Sequence, residues 1–188
     1  MIISISGTPG SGKTTVAKMV AKKIGFNFYS LGELVGREAL KLGLKTQEFY
    51  EKDKFKVEGK MISLDKYLDK LQEDLGGKKD NFVIDSRLGF HFIPNSIKIF
   101  IYVDILTGAK RIFNDKRKDE KKYKNIEEAK KEIRKRIKTE KARYKEKYGI
   151  EDFHDPKNYD IFLNSSKMDV HQMVDLTLKK LRDRKVFN

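Results

Sequence analysis

The residues best suited to chemistry lie at the start of the chain. The segment Gly7-Thr8-Pro9-Gly10-Ser11-Gly12-Lys13-Thr14, followed by Thr15, fits G-x-x-x-x-G-K-[ST] at every fixed position. Glycines permit positive φ and let backbone N–H groups converge on a phosphate with no Cβ in the way. A helix opening at Lys13 adds free N–H groups and the positive end of its dipole. Lys13 would reach the β/γ-phosphates, and the Thr14 hydroxyl would hold Mg²⁺. This pattern predicts a nucleoside triphosphate site.

Two further groups are candidates for the same chemistry. The apolar run "FVID" ends on Asp85, where an acidic partner could hold Mg²⁺ directly or through water. A strand-end aspartate capping the next turn is the alternative. Arg87 follows two residues later, on the same sheet face if strand alternation persists, and could fork onto a substrate phosphate. Arg136, Glu140 and Arg143 are spaced i, i+4, i+7 and share one helix face. Two arginines flanking a carboxylate suit an anionic, hydroxyl-bearing ligand; a structural salt-bridge ladder is the equal alternative.

Positioning these groups requires a layered scaffold. Residues 2–6 (IISIS) read as a buried parallel strand. Val16, Met19, Val20 and Ile24 recur at helical spacing up to Gly25. Further strands are expected at 26–30, 81–85, 96–104 and 159–164. Helices are expected at 31–42, 46 to about 57, 63–75, 106–117, 126–148 and 168–182, with Gly76-Gly77 as a break. Such alternation implies a parallel sheet covered on both faces, with ligands at the carboxyl ends of the strands. The Gly7–Thr14 loop, Ser30–Glu33, Asp85–Arg87 and Asp104 all fall there.

Composition narrows the class. A chain of 188 residues suits one domain with a good core. Without cysteine there are no disulfides, thiolate metal sites or cysteine nucleophile. No apolar stretch nears the roughly 18 residues of a membrane span. With a strand expected from residue 2, no secretory leader is expected, and the cytoplasm is the expected compartment. The net charge of +14 invites a nucleic-acid reading. However, residues 115–148 hold 16 Lys/Arg against 8 Asp/Glu, supplying +8 of it, and their i, i+4 Glu–Lys spacing fits a solvated helix. His91, His154 and His171 are isolated, as packing or surface histidines would be.

Taken in order, Gly7–Thr14, "YSLGEL" (29–34), "VIDSRL" (83–88), "IKIFIYVD" (97–104), "RIFNDKR" (111–117), "RIKTEKARYKEKYGI" (136–150) and "YDIFLNSS" (159–166) resemble the nucleoside monophosphate kinases. The likeness runs from Met1 to about Lys167 and is strongest to the short cytidylate kinases of archaea and related small bacteria. It implies an α/β P-loop fold in three layers around a five-stranded parallel sheet. The core would comprise residues 1–30, 76–110 and 128–188, with a monophosphate-binding insertion at about 31–75 and a lid at about 111–127. It further implies the use of ATP and Mg²⁺ to phosphorylate CMP or dCMP; a monomer is expected. By this resemblance Gly7 to Thr15 hold ATP, Thr14 and Asp85 serve the metal, and Lys13, Arg87, Arg111 and Arg117 are catalytic. Ser30, Gly32, Arg37, Arg87, Arg136, Glu140 and Arg143 would bind the acceptor.

The chain departs from the family pattern in several places. Ser86 stands in the middle of the family's D-G-R, and Leu88 occupies a position that is aspartate in bacterial cytidylate kinases. In S-x-G-D-x-x-R, Glu33 replaces the aspartate, Gly36 takes the arginine's place and Arg37 comes one residue late, a rotation of about 100° on a helix. The alternatives are the same transfer to AMP, UMP or dTMP, a small-molecule P-loop kinase acting on a substrate such as shikimate, or a nucleic-acid-linked P-loop ATPase working through residues 115–148.

Overall fold

The protein is described by a computed structural model covering residues 1–41, 55–57, 60–115 and 123–184. Five strands, β1 (Ile2–Gly7), β2 (Asn27–Ser30), β5 (Phe82–Asp85), β6 (Ile97–Tyr102) and β7 (Ile161–Asn164), form one sheet in the order β2-β5-β1-β6-β7. Every pair is parallel, so each connection must cross over, and helices cover both faces. A separate antiparallel pair joins β3 (Phe55–Val57) and β4 (Lys60–Ile62).

One face of the sheet carries Ile3, Ile5, Val83, Ile99, Ile101 and Leu163 into the largest core cluster. Helices α1 (Lys13–Ile24) and α7 (Val170–Asp183) close it with Val16, Val20, Val174 and Leu181. On the opposite face Ile2, Phe82 and Ile84 pack with Leu75 of α3 (Leu64–Lys78) and with Ile93, which follows the short helix α4 (Gly89–Phe92). Helices α5 (Ile105–Phe113) and α6 (Ile126–Tyr148) join through Ala109, Ala129 and Ile133. Helix α2 (Leu31–Lys41) follows β2 directly.

The helix boundaries have local causes. The Asn125 side chain accepts from Glu128 N–H at the start of α6, and Gly149, at φ +69°, ends it. Asp169 and Gln172 form a reciprocal capping box, so α7 starts at Val170 rather than at the expected 168. Helix α5 ends at Phe113 with Asn114 as its cap, short of the expected residue 117.

Two expectations need correction. Phe55–Val57 is a strand, where a helix from 46 to about 57 was expected; pairing with Lys60–Ile62 gives its backbone partners outside itself. Residues 46–54 lie outside the described residues. Gly76-Gly77 does not break the chain, because α3 runs through both to Lys78. Packing explains the glycine at 76: a Cβ there would lie 2.8 Å from Cγ2 of Ile93, which is fully buried. Among the described residues no helix is long and apolar enough to cross a membrane.

Candidate active site

The glycine-rich loop is held by close backbone contacts. Gly10 and Gly12 both take φ +79°, and a Cβ on Gly10 would sit 2.5 Å from the Gly108 carbonyl oxygen. A Cβ on Gly7 would meet the Ile101 carbonyl oxygen at 2.3 Å, so β1 leaves the sheet where only glycine fits. Thr8 anchors the loop to the end of β6: its hydroxyl accepts from Val103 N–H at 2.9 Å, and its own N–H donates to Ile101. Pro9 and Ser11 complete the turn into α1, and Thr15 lies in the first turn of that helix. The Ser11 hydroxyl is buried with no hydrogen-bond partner among the described residues.

Parallel pairing brings the acidic partner to this loop. Ile5 of β1 lies opposite Asp85 of β5, and Ser30 of β2 lies opposite Asp85 on the other side. The Lys13 ammonium is 3.0 Å from one Asp85 oxygen, and the Thr14 hydroxyl donates to the other at 2.5 Å. Asp85 is only 6% exposed. The adjacent lysine and hydroxyl thus meet a carboxylate more than 70 residues further along the chain.

Beyond Asp85 the strand ends, and alternation does not place Arg87 as expected. The 86–88 turn aims it instead. Arg87 Nε lies 3.0 Å from Glu140 Oε1, and Arg136 Nε lies 3.1 Å from the same oxygen. The Glu140 side chain is 12% exposed. A single shielded carboxylate therefore holds two guanidinium groups together. Arg143 shares the helix of Arg136 and Glu140 but has other partners: it lies 3.8 Å from Asp65 of α3 and over the Tyr144 ring at 5.1 Å.

The remaining expected residues are more dispersed. The Ser30 hydroxyl accepts from Glu33 N–H at 3.3 Å and so caps α2. Gly32 and Arg37 are exposed on that helix. Arg111 donates to the carbonyls of Gly10, Ser165 and Met168, at 3.4, 2.7 and 3.0 Å. It ties the phosphate loop to the turn after β7 and lines a cleft of about 350 Å³ with Ser11, Gly12, Thr15, Met168 and Met173. Arg117 lies outside the described residues. Leu88 is buried with Tyr144 and Phe153 in an aromatic cluster.

Several contributors were not singled out from sequence. Asp65, Asp69 and Gln72 lie along one face of α3 at i, i+4, i+7, a spacing visible in the sequence. Asp65 pairs with Lys147 as well as Arg143, and the Tyr148 hydroxyl donates to Asp69 at 2.9 Å. Burial pushes both the Asp69 carboxyl and the Tyr148 phenol above their usual ranges. The Gln72 side chain accepts from the Ser86 hydroxyl. Across the cleft, the Ser165 hydroxyl joins Arg111 to the strand end at Tyr102.

With this geometry in place, relatives give it context. The model of the cytidylate kinase-like family matches residues 2–167. A cytidylate kinase of Archaeoglobus fulgidus is 33% identical over 99% of this chain and 97% of its own length. One from Methanosarcina acetivorans is 35% identical over 94% of this chain and 93% of its own. Among solved structures, shikimate kinase from Bacteroides thetaiotaomicron superposes with a TM-score of 0.68, covering 100% of this chain and 99% of that one. At 15% identity that likeness concerns the fold alone. The family match spans the phosphate loop, Asp85, Arg87 and the Arg136–Glu140 pair, and the chain belongs to the cytidylate kinase-like family.

Proposed function

We propose that this protein transfers the γ-phosphate of ATP to CMP or dCMP, yielding ADP and the nucleoside diphosphate. Family membership supports the reaction class. The observation that carries the acceptor side is the convergence of Arg87, two residues after Asp85, and Arg136 on one Glu140 oxygen. Paired guanidinium groups suit an acceptor that already bears a phosphate. Such an acceptor is a competent nucleophile, so the site needs alignment and charge neutralisation rather than a strong base.

The proposed roles divide between the donor and the acceptor. The Gly7–Thr15 loop and Lys13 hold the triphosphate, and the cleft beside Arg111 and Met173 takes the donor base. The Thr14 hydroxyl and Asp85 carboxylate, 2.5 Å apart, are the hard oxygen donors that Mg²⁺ prefers. When bound there, Mg²⁺ would neutralise charge on the phosphates of ATP. Arg87 and Arg136 grip the acceptor phosphate, and Glu140 orients both. Residues 31–75 form the monophosphate-binding insertion, with Ser30, Gly32 and Arg37 at its entry. Arg143 supports that side through Asp65. Residues 111–127, including Arg117, form a lid whose closure excludes water from the γ-phosphate. The protein acts as a cytoplasmic monomer.

A mononucleotide panel tests the reading. Purified protein with ATP and Mg²⁺ is offered CMP, dCMP, UMP, dTMP, AMP and GMP separately, and products are followed by chromatography. CDP or dCDP is the expected product. Transfer to another base keeps the enzyme class and moves the base preference. ATP hydrolysis stimulated by RNA or DNA, with no mononucleotide used, refutes the reading.

A further inference from the structure

Ser86 sits between the two residues assigned to metal and acceptor phosphate, and its hydroxyl does not face solvent. Ser86 and Gln72 are 3% and 2% exposed. The Ser86 hydroxyl donates to Gln72 Oε1, while Gln72 Nε2 donates to the Leu68 carbonyl one turn back on α3, at 3.1 Å. These partners fix the amide's orientation, since the oxygen must face the hydroxyl and the nitrogen the carbonyl. From the other side, Ser86 N–H donates to Ile5, and the Ser6 hydroxyl donates to the carbonyls of Ser86 and Arg87 at 2.6 and 3.2 Å. The 85–87 turn is thus clamped between β1 and α3.

The helix supplying that clamp also reaches the acceptor-side arginine helix. Asp65, Asp69 and Gln72 occupy one face of α3, and the first two engage Arg143 and Tyr148 of α6. One rigid helix therefore touches both the turn carrying Arg87 and the helix carrying Arg136 and Glu140. What the amide adds is a directional bond to the segment that aims Asp85 and Arg87.

We infer that Gln72 is a positioning residue for phosphoryl transfer, acting through the Ser86 hydroxyl to hold Asp85 and Arg87 in their reactive orientation. The inference rests on the phosphotransfer reading above. It explains why serine, and not the family's glycine, stands at 86: the hydroxyl is the donor that the buried Gln72 carbonyl needs.

The test is a double-mutant cycle with Gln72→Leu, Ser86→Ala and the combination, measuring kcat and KM for CMP and ATP together with thermal melting. Either single change strands a buried polar partner and lowers the melting temperature. Removing both partners restores apolar satisfaction, so the combined variant melts near the wild type. Its kcat stays down by about 10- to 100-fold, the usual consequence of a small misalignment, while KM for ATP is unchanged. A purely structural bond would instead let kcat recover along with melting, and that result overturns the inference. Single variants with wild-type kcat overturn it as well. If Gln72→Leu does not fold, Ser86→Gly reads the same bond from its other end, and wild-type kcat in that variant is equally fatal. A wild-type protein that phosphorylates no mononucleotide sinks both this inference and the kinase reading. Normal wild-type transfer with unaffected variants sinks this one alone.

Discussion

Glu140→Gln isolates the charge that holds Arg87 and Arg136 together. The substitution keeps shape and an oxygen at the same place, and removes the negative charge. In the native protein Oε1 accepts from Arg87 Nε at 3.0 Å and Arg136 Nε at 3.1 Å. A hydrogen bond to a charged group contributes about 1.5–3 kcal/mol, and charge assistance supplies roughly half of it. Each bond should then weaken by about 1 kcal/mol. The Arg136 side chain is 46% exposed, so solvent screens much of its share. The Arg87 bond, nearer the protein interior, carries most of the loss. A total of about 1–2 kcal/mol corresponds to a fall of roughly 2–8 °C in melting temperature for a chain of this size. Because Arg87 is aimed by the same bond, kcat should drop by roughly 5–30-fold. The assays are thermal melting without substrates and ADP release at saturating ATP and CMP. A variant that melts with the wild type and turns over at the same rate would show that Glu140 does not organise the two arginines.

Other predictions probe different links. Arg87→Ala should lose about 10²–10³-fold in kcat while ATP still binds, as read by fluorescent-nucleotide titration; unchanged transfer removes Arg87 from the acceptor site. Gly77→Ala adds a methyl into open space and should stabilise α3 by up to about 1 kcal/mol in urea unfolding. The neighbouring Gly76→Ala drives its Cβ against buried Ile93 and should destabilise by about 1–2 kcal/mol; equal outcomes at the two sites would contradict the packing. Asp104 accepts from Thr107 N–H at the start of α5, and that bond holds its carboxyl down at about 2, against 3.8 for an unperturbed carboxyl. A depressed native value means stability present above 3.8 and lost as pH falls towards about 2. Urea midpoints followed across that window should fall more steeply for the wild type than for Asp104→Asn, which keeps the cap but cannot titrate, and parallel curves would refute the depressed Asp104 carboxyl.

Legibility differed between the two halves of the site. The donor side is local: eight consecutive residues carry the phosphate loop, and the strand before it and helix after it show in their own periodicity. Asp85 was legible because a buried parallel strand reads as an apolar run, and its last residue must sit at the ligand-bearing edge. The long helix at about 126–148 was legible from its i, i+3 and i, i+4 charge spacing, and the Asn125 cap and Gly149 set its ends. Gly76-Gly77 misled because glycine signals both a break and a close approach, and only the position of Ile93 distinguishes them. The strand at 55–57 was missed because its partner lies in the next short segment, where composition alone does not separate strand from helix.

By itself, then, the sequence determined the alternation of strands and helices, the nucleotide loop, the strand-end carboxylate and the arginine-rich helix. Tertiary structure decided which of these meet. The parallel register that sets Asp85 beside Ile5 delivers the carboxylate to Lys13 and Thr14. The turn after β5 sends Arg87, and not Arg143, to Glu140. The packing of α3 converts an ordinary-looking glutamine into the buried partner of Ser86. Periodicity is a property of neighbouring residues, whereas a shared oxygen between two arginines depends on where two separate segments come to rest, and that is settled only by the folded core.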